Sequence, residues 1–330
     1  MFKTNLIMPK QNKLPFIFIN EETVERNTDF KKAYEAIKNS YALFSGGKST
    51  TPKTLSMKVN NGMFFCFPSY LNNRKIFISK LATFYPKNRL KNLPSIQPYI
   101  SIFDSNNGTL LAVISARYFA GVRTATTSAV GAKYLLGKNP KIMAIIGSGV
   151  QAKFHALVFS KIFKSIKEIK IYSPDKKHLK KFVRENQKIL KNLKLEIAKT
   201  SEQATQDADI IACVTNSPKP VISNSAVKPG ACVLAVGSMG KEMQEIPDEL
   251  MARAAVVVDS RQQIDEYGEI AGPESRGKKI KLVGELGELI LKKKKLNQKN
   301  KITVFKHHGL PVTDSALAEI ILKKYEYSQS

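Results

Sequence analysis

The sequence predicts an α/β fold of two units: a parallel, doubly wound sheet flanked by helices, and a separate strand-rich α+β unit. Three observations carry this. From Lys141 onward, apolar runs of strand length alternate with helical stretches across short links, the pattern of a parallel sheet. The first third instead strings several β-rich runs after one helical stretch. The 330 residues are 43% apolar, enough for about two domains with full cores.

In the first unit, Thr28–Tyr41 sets Phe30, Tyr34, Ile37 and Tyr41 at helical spacing, and Gly46-Gly47 ends it. Met63–Phe67, Ile76–Phe84 and Tyr99–Phe103 have strand composition. Asn106-Asn107-Gly108 is a hairpin turn between Ile100–Phe103 and Thr109–Ile114. Thr124–Leu136, rich in alanine, reads as a closely packed helix. The parallel sheet then takes strands at Lys141–Ile146, Glu168–Tyr172, Leu193–Ala198, Asp209–Val214, Ala231–Val236 and Ala255–Asp259, with helices to Phe163 and over Lys176–Ile189. A last strand, Ile302–Phe305, and a helix, Asp314–Tyr325, resemble the first unit in composition and are expected to return to it. The expected division is 1–118 with 303–330 as one unit and 119–302 as the other.

Lys+Arg 53 against Asp+Glu 27 gives a net charge of +26. The basic residues run from Lys3 to Lys324 with one cluster at Lys292–Lys295, and neither a single basic face nor a recognition motif accompanies them. A solvated lysine-rich surface is expected rather than a nucleic-acid partner. No apolar run reaches the ~18 residues of a membrane span, and Met1–Lys10 lacks the apolar core of a signal peptide. Cys66, Cys213 and Cys232 sit in apolar strand contexts without metal spacing, so free thiols in the reducing cytoplasm are expected. The four histidines form no His/Cys metal cluster in the sequence.

Gly147-Ser148-Gly149-Val150-Gln151-Ala152 reads G-x-G-x-x-A. It follows an apolar strand and opens a helix, the context that makes it a dinucleotide-binding turn of a Rossmann domain. The first glycine permits the tight turn, the second lets a pyrophosphate approach, and Ala152 allows close helix–strand packing. The helix N-terminus supplies free N–H groups to the phosphates. In NAD proteins an acidic residue closes the second strand. Here the position falls on neutral Ser173, with Lys176 and Lys177 placed to meet a 2′-phosphate and Asp175 able to reach a ribose. NADP is favoured over NAD.

Arg123-Thr124-Ala125 ahead of a small-residue helix, together with Ile145–Ala152, resembles the ornithine cyclodeaminase/mu-crystallin family. Further segments are similar and in order: Phe67-Pro68-Ser69-Tyr70, Lys80-Leu81-Ala82-Thr83-Phe84-Tyr85, Ser105–Val113, Val227–Ala231, Ala235-Val236-Gly237, Asp248–Met251, Val258-Asp259-Ser260, Gly284–Ile290 and Thr303–Lys306 through Gly309-Leu310. The resemblance implies a homodimer of two-domain subunits, a Rossmann domain and a substrate and dimerisation domain. It also implies a nicotinamide cofactor and α-amino or α-imino acid substrates.

Carried over by position, the resemblance makes Arg123 the grip on the substrate carboxylate, a role that suits a planar guanidinium. Lys80 falls on a pocket lysine able to hold the carboxylate or give a proton. Lys53 stands where many members have an arginine, and lysine loses the bidentate fork. Ser95 matches a threonine near the site. Thr124, Gly147, Ser148, Gly149, Val150, Gln151, Ser173, Lys176, Thr215, Asn216, Gly237 and Ser238 are the implied cofactor contacts. Met239 departs from the aspartate of the cyclodeaminases, and His307, in place of a small polar residue, is a candidate acid–base group. The function expected is NAD(P)H-dependent reduction of a cyclic ketimine acid, Δ1-pyrroline-2-carboxylate or Δ1-piperideine-2-carboxylate. The alternatives are an ornithine cyclodeaminase and a catalytically silent NADPH-binding protein.

Overall fold

The computed structural model describes residues 16–296 and 301–329. The first unit opens with β1 (Ile17–Ile19), α1 (Glu21–Asn27) and α2 (Phe30–Ser45). The predicted helix over Thr28–Tyr41 is α2, and α1 is a separate helix ahead of it. Asp29 divides them because its carboxylate accepts from Lys31 and Lys32 N–H and starts α2. Then come β2 (Ser49–Thr50), β3 (Leu55–Val59), β4 (Gly62–Leu71), β5 (Ile76–Phe84), β6 (Ile96–Asp104) and β7 (Leu110–Ser115). Their sheet runs β1-β7-β6-β5-β4-β2, with β3 also on β4; only the β1–β7 pair is parallel. Along β5, Ile76, Ile78, Lys80 and Ala82 are buried while the intervening side chains are half-buried, so one face turns to the helices and the other outward.

Helix α3 (Arg117–Leu135) links the units. The predicted boundary after residue 118 would cut its first turn. The second unit follows as β8 (Ile142–Ile146), α4 (Val150–Ile162), β9 (Glu168–Tyr172), α5 (Lys176–Asn186), β10 (Lys194–Ile197), α6 (Ser201–Thr205), β11 (Ile210–Cys213), β12 (Cys232–Ala235), α7 (Asp248–Arg253), β13 (Ala255–Val258), α8 (Gly268–Ser275), β14 (Lys281–Glu285) and α9 (Leu286–Ile290). Last come β15 (Thr303–Lys306) and α10 (Pro311–Gln329). All eight strands of this sheet are parallel, in the order β10-β9-β8-β11-β12-β15-β13-β14.

The place of β15 corrects the expected division. It does not return to the first sheet; it fills the slot between β12 and β13, with Val233 and Val256 both paired to Val304. All four of its residues are buried, which a central parallel strand allows and an edge strand of the first sheet would not. Only α10 returns, packing against α2, α3, β4 and β5. The order in which strands are added reverses between β8 and β11, so a crevice opens at their carboxyl ends.

Candidate active site

The G-x-G-x-x-A turn sits at that crevice. Gly147 has φ +120°, and a Cβ there would meet the Val214 carbonyl oxygen at 2.9 Å, so the turn tolerates only glycine. Gly149 is different. It N-caps α4 without any side-chain cap, and the space a Cβ would occupy is open to 4 Å. Val150 is exposed, so the first turn of a thirteen-residue helix offers its N–H groups outward. Ala152 is fully buried beneath it. This cradle fits a pyrophosphate: open space, unpaired donors and the positive end of a helix dipole.

At the end of β9, Ser173 is buried and neutral. Asp175 is committed elsewhere, its Oδ1 accepting from His178 N–H at 2.9 Å as the cap of α5. Lys176 and Lys177 are exposed in the first turn of α5. The carboxylate between the β9 tip and those lysines is thus Asp175, one oxygen of which is used in that cap.

The ends of β11 and β12 are held from behind. Glu245 Oε1 accepts from Thr215 N–H and Oγ1, each at 2.7 Å, and Oε2 accepts from Gly237 N–H at 2.6 Å and Ser238 N–H at 3.2 Å. Thr215, Gly237 and Ser238 thus reach the crevice with their N–H groups already spoken for; Asn216 is exposed beside them. Burial pushes the Glu245 carboxyl up, partly opposed by its Thr215 bonds. Beneath Ser238, Lys306 lies fully buried, donating to Ser238 O at 2.7 Å and paired with Glu269 at 3.1 Å. Asp259 accepts from His308 N–H, Gly309 N–H and the Tyr267 hydroxyl, fixing the chain that follows β15. Met239 stands out from this loop, 61% exposed.

The two predicted cations meet. Lys80, on the inner face of β5, and Arg123, on α3, both contact Asp314 at the start of α10. Lys80 Nζ lies 2.5 Å from Oδ2, and Arg123 Nε 2.9 Å from Oδ1. The lysine head also stands 4.5 Å from the centre of the Phe67 ring, its cross-strand neighbour. All three ionic groups are buried, yet Arg123 Nη1 has no hydrogen-bond partner. Gly309 gives this guanidinium its room, since a Cβ there would fall 1.7 Å from Nη1. Burial lowers the Lys80 pKa, Asp314 raises it, and Arg123 lowers it again. One carboxylate thus holds two cations with a donor left over, an arrangement open to a second, incoming carboxylate.

Three expected residues stand otherwise. Ser95 is not brought to this group. Its carbonyl accepts from Tyr85 N–H, five positions along β5 from Lys80, or roughly 16 Å at strand rise. Lys53 is exposed, in the link from β2 to β3 that runs past the Phe67 stretch of β4. His307, the candidate acid–base group, is fully buried, and burial pushes its pKa well down, which favours the neutral ring. Its Nε2 shares Ser128 Oγ with His155 Nε2, each at 2.8 Å. Thr124 is half-buried next to Arg123. The sequence reading missed Asp314, Ser128 and His155. An acid in the first turn of the last helix was the one visible sign of Asp314.

Residues 17–329 match the model of the ornithine cyclodeaminase/mu-crystallin family. The chain belongs to this family. A ketimine reductase mu-crystallin from Macropus fuliginosus is 30% identical over 314 residues, 92% of this chain and 96% of that protein. Among solved structures, the Thermococcus litoralis Δ1-pyrroline-2-carboxylate reductase, in complex with NADH and L-proline, superposes with a TM-score of 0.90 at 28% identity, covering 95% of this chain and 98% of its own. An archaeal alanine dehydrogenase dimer with bound NAD gives 0.88 at 27% identity, over 96% and 97%. The family's two-unit architecture is therefore this chain's own. Among the described residues no group of His, Cys, Asp or Glu is arranged to hold a metal ion, and no helix is long and apolar enough to cross a membrane.

Proposed function

We propose that this protein is an NAD(P)H-dependent oxidoreductase that reduces a cyclic ketimine acid, Δ1-pyrroline-2-carboxylate or Δ1-piperideine-2-carboxylate, to the cyclic amino acid. The observation that carries the reading is the buried Lys80–Asp314–Arg123 group with its unpaired Arg123 Nη1. Similar proteins that reduce ketimines or pyrroline-2-carboxylate support it.

The α4 cradle, Gly149 and the β8 turn would hold the cofactor's pyrophosphate. A bound reduced nicotinamide supplies the hydride for the imine carbon. Arg123 Nη1 and the Lys80 ammonium grip the substrate carboxylate and set the ring's position. Asp314 keeps the two cations from repelling each other and aims the guanidinium. Burial excludes water and strengthens each of these contacts. Holding two reactants in register supplies most of the acceleration such a site needs. Neutral Ser173, with Lys176 and Lys177 beyond it, supports acceptance of NADPH; the solved neighbours carry NADH or NAD.

The outer face of the first sheet supports a homodimer. Phe18, Leu55, Met57 and Tyr99 are each about half exposed there, and nothing among the described residues covers them. Cys213 and Cys232 are buried and Cys66 half-buried, all three free, which suits the reducing cytoplasm.

Met239 argues against ornithine cyclisation. Releasing ammonia while a second amine attacks needs a group that takes and returns protons, and a thioether cannot. Incubation with ornithine and NAD tests this: no ammonia is expected, and rapid release would overturn the reading.

A further inference from the structure

Four groups form one hydrogen-bonded line through the interior. The Gln151 carbonyl, in the first turn of α4, lies 2.8 Å from His155 Nδ1. His155 Nε2 lies 2.8 Å from Ser128 Oγ, and Ser128 Oγ lies 2.8 Å from His307 Nε2. Both rings are fully buried. Burial pushes His155 down to about 4 and His307 well below its ordinary value, so each carries a single ring proton at neutral pH.

The protons can then be placed by counting. A carbonyl only accepts, so His155 carries its proton on Nδ1 and Nε2 is bare. Ser128 has one proton, which goes to that bare nitrogen. Its oxygen must accept from His307, whose proton is therefore on Nε2. His307 Nδ1 is left as a lone pair, and it is buried with no partner. The opposite tautomer would set two lone pairs against one hydroxyl proton at 2.8 Å.

A buried bare acceptor is costly unless a ligand meets it. Its surroundings say which kind. His307 stands two residues ahead of Gly309, whose missing Cβ leaves room for the Arg123 guanidinium. An unpaired cationic donor thus packs on the turn that directly follows the residue bearing the unpaired neutral acceptor. Their complement is a molecule with a carboxylate and an adjacent N–H. We infer that His307 Nδ1 accepts the N–H of the protonated cyclic imine, and that Ser128 and His155 are positioning residues holding it in that tautomer. This rests on the imino-acid reading and deepens it: the site takes up the iminium form, ready for hydride.

Two measurements on the full chain test it without turnover. In long-range proton–nitrogen NMR with isotope-labelled histidine, His307 should show a bare Nδ1 and protonated Nε2, and His155 the reverse. Calorimetric binding, with saturating NADH so that no hydride can pass, compares L-proline with tetrahydro-2-furoate, which has a ring oxygen in place of the N–H. Proline should bind about 10-fold or more tightly, the cost of an unmet buried acceptor. His307→Phe should abolish that contrast, and Ser128→Ala, which frees the ring to turn, should narrow it several-fold. Should His307→Phe fail to fold, the wild-type tautomer and Ser128→Ala still decide. A protonated His307 Nδ1, or a contrast unchanged in the variants that fold, would overturn the inference. So would a His307 nitrogen signal that responds to NAD, not to its 3-acetylpyridine analogue, and not to proline, since the acceptor would then serve the cofactor's carboxamide. A chain that binds proline in this way yet reduces no imine contradicts the proposed activity and leaves the assignment standing; a reductase with protonated Nδ1 does the reverse.

Discussion

Replacing Asp314 with asparagine removes one negative charge from between two buried cations. Asp314 is 0% exposed and Arg123 6%, so water cannot take the carboxylate's place. Removing one partner of a buried pair leaves a charge unmet and costs roughly 3–5 kcal/mol. Asparagine keeps the shape and one acceptor, which puts the expected loss near the lower end, ~3 kcal/mol. Part is relieved by Lys80. Its pKa is already lowered by burial and by Arg123, and Asp314 is what holds it up, so Asp314→Asn should let the ammonium shed its proton. At ~2 °C per kcal/mol for a chain of this size, the variant should melt roughly 6 °C below the wild type. Because the acceptor at Arg123 Nε is then neutral and aims the guanidinium less firmly, KM for the imino acid should rise ~10-fold or more while cofactor affinity stays level. Thermal scans, and cofactor and substrate titrations on the same preparation, read all three. A melting point within about 1 °C of wild type with KM unchanged would refute the bridging role.

Gly149→Ala should leave stability within ~0.5 kcal/mol, since its Cβ meets nothing, yet weaken cofactor binding ~10-fold by standing where the pyrophosphate approaches; calorimetry separates the two effects. Ser173→Asp should weaken NADPH binding ~10-fold and spare NADH, because a carboxylate there repels the 2′-phosphate; equal effects on both cofactors would place the β9 tip elsewhere. His155 sets an acid limit. Its folded value of about 4 lies below its ordinary 6.5, so the unfolded chain binds protons first. The resulting stability is whole above 6.5 and falls as pH drops toward 4. Between about pH 7 and 5 this residue alone should remove ~2 kcal/mol, and in His155→Gln that share of the loss, measured by urea unfolding, should vanish.

The parallel sheet was legible because its central strands are apolar on both faces and its turn motif carries its own context; Glu168–Tyr172 and, in the first sheet, Ile76–Phe84 fall where their composition puts them. The place of β15 was not, because a four-residue apolar run states that it is buried and not which neighbours bury it. The two short strands β1 and β14 lie at sheet edges, where little burial is needed and periodicity is faint. Within the site, Arg123 and Lys80 were legible through the resemblance, each by its position in a matching segment. Asp314 was not, being 191 residues from one partner and 234 from the other. Ser95 was carried over by position alone, and the register of β6 on β5 sets it beyond Phe84, away from Lys80. His307 looked like an acid because its burial and its tie to Ser128 exist only in the folded chain.

The most direct test of the central claim is the loss of reduced-cofactor absorbance when the purified protein meets each cyclic ketimine acid with NADPH or NADH, for wild type and Arg123→Ala together. The account predicts steady oxidation of the cofactor by the wild type. It predicts a KM at least ~10-fold higher in Arg123→Ala with cofactor binding unchanged, the loss of a buried carboxylate contact. No oxidation with either imine, from a wild type that binds the cofactor, would contradict it; so would a variant that loses cofactor and substrate affinity in equal measure.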